Sequence, residues 1–293
     1  MPCYHPLKAL RSAQGVRVLN KDATIFNLKL PCGQCVGCRL ERSRQWALRC
    51  IHEAKLYENN IFVTLTYDDK HLPHDSGLNH RHFQLFIKKL RKHFPQPIRY
   101  YMCGEYGGQF GRPHYHAILF NITFDDATYW MRTATGSKLY RSKKLESLWT
   151  FGFSSFGAVT FESAAYVARY VMKKVTGDLA DSHYQSVSTA TGEVFQTQPE
   201  YNRMSLKPGI GSSWYDKFKS DVFPHDRIIH DGTPLKPPRY YDNKLKKENI
   251  DNYNEIKQKR LAKANNNNDN TNSRLEVKEI VTKAALSNLR RSL

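Results

Sequence analysis

Two histidines stand two residues apart in His114-Tyr115-His116. Side chains alternate along an extended segment, so both imidazoles leave one face, ~7 Å apart at Cα, and Tyr115 points the other way, toward a core. Two histidines so placed can converge on one divalent metal. Glu105 lies shortly upstream, and hairpin pairing brings it opposite His114. Two imidazoles and one carboxylate leave coordination positions open, as a catalytic metal site requires. Nitrogen and oxygen donors without thiolate suit Mg²⁺ or Mn²⁺. Alone, a His-x-His pair is equally an ordinary strand feature.

A second group is Tyr166-Val167-Ala168-Arg169-Tyr170-Val171-Met172-Lys173-Lys174. Residues i and i+4 are neighbours on a helix, so Tyr166 and Tyr170 present their phenols together, with Lys173 and Lys174 following on. A tyrosine is a weak nucleophile until activated. Once it attacks a phosphodiester, the phenolate is a better leaving group than an alkoxide, so the covalent link is reversible. Two core aromatics on an amphipathic helix give the same pattern.

A third group is Cys32-x-x-Cys35-x-x-Cys38, with Cys3 upstream. Thiolates at this spacing bind soft metals, and four close a tetrahedral Zn²⁺ site. His5 or Cys50 can replace Cys3 as fourth ligand, and reduced cysteines without metal also fit. An iron–sulfur cluster has the ligands but no other motivation. Cys103 reads as a buried strand residue.

The elements that carry these groups follow from periodicity. Leu40–Tyr57 places Ala47, Cys50, Ile51 and Ala54 at helical spacing. Ile61–Tyr67 is a strand with Ile61, Val63, Leu65 and Tyr67 on one face. Asn79 caps a helix of Phe83, Phe86, Ile87, Leu90 and Phe94, ended by Pro95 and Pro97. Ile98–Cys103 and His114–Phe120 form a hairpin around a Gly-rich turn over 104–113. Lys138–Trp149 reads as helix, Ser155–Phe161 as strand and Ser163–Val175 as helix. The expected fold class is α+β, an antiparallel sheet with helices packed on it. Four segments are expected: a Cys-rich stretch over 1–38, a catalytic domain over 39–177, a polar extension of little period over 178–243, and an Asn-rich, partly disordered linker and tail over 244–293. A short helix is expected from Arg274, with a thin apolar stripe.

Phe62–Tyr67, His114-Tyr115-His116 and Tyr166-x-x-x-Tyr170, in this order, resemble the three motifs of the HUH endonucleases, the rolling-circle replication initiators. Tyr170-x-x-Lys173 also fits a Tyr-x-x-Lys variant of the third. The chain is most similar to the replication-associated proteins of gokushovirus-type microviruses, small circular single-stranded DNA bacteriophages. Pro31–Arg39, Gly104–Gly107 and Arg112–Ala117 carry that likeness, which spans roughly 1–177. It implies a ferredoxin-like HUH core, a metal on Glu105, His114 and His116, and nucleophiles at Tyr166 and Tyr170. It further implies help from Lys173 and DNA contacts by Arg112, Arg169 and Lys174. The partner implied is viral origin DNA, single-stranded at the nick.

Composition agrees. The 293 residues carry a net charge of +18, which points to a polyanionic partner. No apolar run is long enough for a membrane span, and the N-terminus lacks the apolar region of a signal peptide. A reducing host bacterial cytoplasm is the expected compartment, with the cysteines unpaired. No Gly-x-x-x-x-Gly-Lys-Ser/Thr run exists, so unwinding falls to a host helicase and synthesis to a host polymerase. The competing readings are an HUH relaxase or transposase, and a non-catalytic zinc-dependent DNA-binding regulator using the basic helix Arg39–Tyr57. Relaxases normally place tyrosine before the histidines, and transposases usually carry one tyrosine. The regulator leaves both the histidine pair and the tyrosine pair unexplained.

Overall fold

A computed structural model describes residues 3–107, 111–169, 180–187, 192–265 and 268–288. The chain divides into two compact units. One holds the residues up to Gln45 together with those from Val222 onward, and the other runs from Trp46 to Asp221.

The Cys-rich N-terminal stretch contains a small antiparallel sheet of β1 (Leu7–Ser12), β2 (Gly15–Val18) and β3 (Leu28–Leu30), in the order β2-β1-β3. Its strands are short and mostly exposed, so they leave no hydrophobic period to read. Helix α1 (Val36–Ala54) starts just after Cys35.

The second unit is built on a seven-stranded sheet. In chain order it comprises β4 (Asn60–Tyr67), α2 (His80–His93), β5 (Arg99–Tyr106), β6 (Pro113–Phe120), β7 (Thr128–Arg132), β8 (Lys138–Arg141), α3 (Lys143–Leu148), β9 (Gly152–Ala158) and α4 (Phe161–Arg169). Next come α5 (Ala180–His183), the small hairpin β10 (Gln185–Val187) and β11 (Val194–Gln196), β12 (Tyr201–Met204) and α6 (Ser212–Val222). The sheet order is β12-β5-β6-β4-β9-β8-β7, with every pairing antiparallel.

Its central strands, β5-β6-β4-β9, joined through α2 and α3, have the strand order of a ferredoxin-like β-α-β-β-α-β unit. The expected α+β class and core are therefore present. Alternation divides the sheet into two faces. Val63, Leu65, Tyr67, Tyr115 and Leu119 pack with Phe86 of α2 and Leu145 of α3. On the other face Phe62, Cys103 and Ile118 pack with Ala47 and Cys50 of α1 and with Ala164 and Val167 of α4. Helices thus cover both sides.

Local signals account for most boundaries. Asn79 caps α2 by accepting from the Arg81 N–H, as its sequence position suggests. The helix expected over Lys138–Trp149 is instead strand Lys138–Arg141 followed by helix Lys143–Leu148. The Ser142 side chain accepts from the Leu145 N–H and starts the helix there. The last core strand ends at Ala158, short of the expected Phe161, because Thr160 and Ser163 exchange side-chain and backbone bonds that open α4. In the stretch read as having little period, β12 pairs with β5 and becomes the sheet edge.

The first unit resumes with β13 (Ile228–His230) and β14 (Thr233–Leu235), a hairpin, then α7 (Arg239–Glu248), α8 (Ile250–Asn265) and α9 (Asn272–Ser287). Residues 244–265, read as linker, therefore fall in two helices, α7 and α8, separated at the extended Asn249. Ile256 is buried there, and Arg260 clasps both Asp226 and Asp242. The helix expected from Arg274 is α9, capped by Thr271 and buried at Leu275. Among the described residues no helix is long and apolar enough to cross a membrane.

Candidate active site and metal centre

Strands β5 and β6 pair so that Glu105 stands directly opposite His114 and Cys103 opposite His116. The hairpin register therefore fixes the cluster expected from spacing alone. Strand β5 runs on through Glu105, which the sequence placed at the edge of a turn. His114 Nε2 lies 2.6 Å, and His116 Nε2 3.0 Å, from the same oxygen, Glu105 Oε1. Glu105 and His116 are buried. Burial works against the carboxylate charge, but the hydrogen bonds to His114 and His116 outweigh it and lower the Glu105 carboxyl to about 2.

Outer contacts orient both rings. His114 Nδ1 donates to the Arg112 carbonyl at 3.0 Å, which leaves Nε2 as the ligating nitrogen. His116 Nδ1 is bonded to Thr64 Oγ1 at 2.9 Å, across the β4–β6 pairing that sets Thr64 opposite His116. Phe62 stacks on the His116 ring at 5.5 Å. Between the histidines, Tyr115 points to the opposite face as expected. Its hydroxyl donates to the Asn79 carbonyl at 2.7 Å and accepts from the Asn79 N–H at 2.9 Å. The strand bearing the histidines is thereby tied to the cap of α2. One potential ligand atom from each of Glu105, His114 and His116 lies within 4.8 Å of the others. This donor set fits a hard or borderline divalent cation such as Mg²⁺ or Mn²⁺.

Helix α4 brings Tyr166 to this face. Its ring lies 5.2 Å from that of His116, nearly perpendicular, and 6.4 Å from that of Phe62. Burial and then the Glu105 charge push the Tyr166 phenol far above its ordinary value. The helix is held by Asn202 of β12, whose Nδ2 donates to the Val167 carbonyl at 3.0 Å. Arg169 is the last residue of α4. Tyr170, Lys173 and Lys174 lie outside the described residues. Arg112 is engaged with the Asp69 carboxylate and, at 2.9 Å, with the Tyr67 carbonyl. Spacing alone does not mark Thr64, Phe62 or Asn202 as site residues. Thr64 and Phe62 sat within a recognised motif, whereas Asn202 left no signal, since only the β12–β5 pairing brings it near.

The cysteines gather elsewhere. One sulfur from each of Cys3, Cys32, Cys35 and Cys38 lies within 4.8 Å of the others. Cys50 is buried in the core of the second unit, among Ala47 and Phe62, and His5 Nε2 is paired with Glu279 at 2.7 Å.

A family model, "Replication-associated protein ORF2/G2P", matches residues 60–175. Replication-associated protein VP4 of Bdellovibrio phage phiMH2K is 34% identical over 281 residues, 89% of this chain and 84% of the relative. The chain belongs to the replication-associated protein family. Replication-associated protein ORF2 of Spiroplasma virus 4 is 32% identical over 275 residues, 85% of this chain and 81% of the relative. Replication-associated protein ORF4 of Chlamydia phage 1 is 32% identical over 232 residues, 76% of this chain and 55% of the relative. No solved structure matches. The segment matched by the replication-associated family model contains Glu105, His114, His116 and Tyr166. The likeness to the replication-associated protein of phiMH2K takes in 89% of the chain, and so extends past residue 177, where the motif resemblance stopped.

Proposed function

We propose that this chain initiates rolling-circle replication of a small circular phage genome, by nicking one strand of the replicative form at its origin. The observation that carries the reading is one buried carboxylate shared by two strand histidines, with the Tyr166 ring against one of them. Membership of the replication-associated family supports the same role.

Glu105, His114 and His116 would hold a divalent cation, which when bound supplies Lewis-acid stabilisation of charge on a non-bridging phosphate oxygen. Tyr166, or Tyr170, attacks the phosphorus of a single-stranded phosphodiester. A phenolic O–P bond forms and the P–O3′ bond breaks. The phenol loses its proton as it attacks, and the departing 3′ oxygen takes one up. The products are a 5′-phosphotyrosine and a free 3′-OH that primes synthesis. After one round the second tyrosine cleaves the regenerated origin, and the new 3′-OH attacks the first phosphotyrosine to close the displaced circle. Each step is a transesterification, so no nucleotide is consumed. Lys173 and Lys174 would neutralise the scissile phosphate or the phenolate, and Arg112 and Arg169 would contact DNA. The setting is the cytoplasm of an infected bacterium, with host helicase and polymerase.

A labelled single-stranded origin oligonucleotide tests this. Wild-type protein with Mn²⁺ forms a covalent adduct, and EDTA abolishes it. The Tyr166→Phe, Tyr170→Phe double variant forms none. An adduct from that variant, or undiminished cleavage in EDTA, refutes the chemistry.

A further inference from the structure

The geometry points to a second metal centre, a structural Zn²⁺ bound by the thiolates of Cys3, Cys32, Cys35 and Cys38 and separate from the His–Glu cluster. Three observations carry it, and none depends on the nicking chemistry.

The first is the disposition of the sulfurs. Four thiolates ~2.3 Å from one ion stand ~3.8 Å from each other in a tetrahedron. Here the Cys3 and Cys35 sulfurs are 4.0 Å apart and the whole set lies within 4.8 Å. A single ion needs only a small contraction. A four-iron cluster puts each thiolate on a different iron and needs a wider spread. All four cysteines are free thiols. The fourth-ligand question left by the sequence is answered by Cys3, because Cys50 lies in the core of the other unit and His5 is paired with Glu279.

The second is the surroundings of the sulfurs. The Cys32 N–H donates to Cys3 Sγ at 3.2 Å, the Cys35 N–H to Cys32 Sγ at 3.3 Å, and the Tyr4 N–H to Cys35 Sγ at 3.3 Å. Backbone donors aimed at sulfur disperse thiolate charge, as the outer shell of a thiolate–metal site requires. Four thiolates on Zn²⁺ make a dianion. It would sit at the positive end of α1, whose first turn holds no acidic residue and whose early turns carry Arg39 and Arg42.

The third is how little core this stretch supplies itself. Among its described residues through Gln45, the buried apolar side chains are Cys3, Ala9 and Cys35, while the larger buried residues of the same unit, such as Tyr241, Leu245 and Ile256, come from the C-terminal segment. A metal among the cysteines would add a cross-link where the three short strands bring least apolar burial of their own. The ion would join Cys3, ahead of β1, to Cys32 and Cys35, after β3, and to Cys38 in the first turn of α1.

The test uses the full-length His114→Ala, His116→Ala variant, so that the other cluster cannot contribute metal. Elemental analysis should give one zinc per chain. Replacement by Co²⁺ should give thiolate-to-metal charge-transfer bands with tetrahedral ligand-field bands. Adding Cys35→Ser should remove the zinc and speed hydrogen exchange between Cys3 and Gln45. Should that variant fail to fold, the cobalt spectrum of the Cys-intact protein still decides. Stoichiometric iron, four freely alkylated thiols with no metal, or zinc kept after Cys35→Ser would overturn the proposal.

Discussion

His114 and His116 both bring a ring nitrogen within hydrogen-bond distance of one oxygen of Glu105, so the orientation of both rings governs what the cluster can bind. Thr64 sets the His116 ring from a different strand. Thr64→Val keeps the side-chain shape and removes the hydroxyl. It should weaken Mn²⁺ binding about 10- to 100-fold with the fold intact, measured by the Mn²⁺ dependence of adduct formation alongside the melting temperature. Equal affinity in wild type and variant would show that Thr64 does not position His116. At this scale the sequence was informative where geometry is local. His114 and His116 share a face because strands alternate, and Glu105 meets His114 because hairpin partners are near in sequence. Thr64 lies 52 residues from its histidine, and only the sheet order brings them together. Asn202 is more distant still, and a short edge strand delivers it.

Strand β9 begins at a position that only glycine fills. Gly152 has φ +147, and a Cβ there would stand 2.3 Å from the Asp68 nitrogen and 2.5 Å from the Thr66 oxygen. It pairs with Tyr67 at the end of β4, a strand that itself lies next to β6 of the Glu–His hairpin. Gly152→Ala should cost at least ~3 kcal/mol, since backbone cannot move aside as a flexible side chain can. Thermal or denaturant unfolding measures this, and an unchanged midpoint would remove the constraint. Elements with a buried face were readable. Helix α2 announced itself through Asn79 and its apolar spacing, and β4 through strict alternation. Strand β7 is exposed along its whole length, so it carries no hydrophobic period. Its partner β8 runs almost directly into the helix that Ser142 starts, so pattern alone does not separate the two. Strand β12 is four residues long and partly exposed, below what pattern alone can separate from loop.

Across the molecule, the charge of +18 supplies attraction to any phosphate backbone, with no origin preference. Affinity for a non-origin single-stranded oligonucleotide should fall about 10³-fold between ~50 and ~200 mM salt, linearly on a double-logarithmic plot. A salt-insensitive affinity would mean that phosphate contacts are few. The charge was legible at once, yet its distribution was not. Much of the basic C-terminal region, read as linker, is helical, and its Arg260 clasps two aspartates that lie 34 and 18 residues away, contacts that no local pattern foretells. The facing of Glu105 and His114 across the hairpin has a consequence for assembly of the fold itself. A slip of one residue between β5 and β6 turns either the carboxylate or the imidazoles to the opposite face, and no cation could then be shared. Any cation taken up by that cluster is thus a ligand of the correctly registered chain alone. By mass action, a cation bound there would draw mispaired chains toward the native pairing, and the site would then proofread the sheet on which it is built.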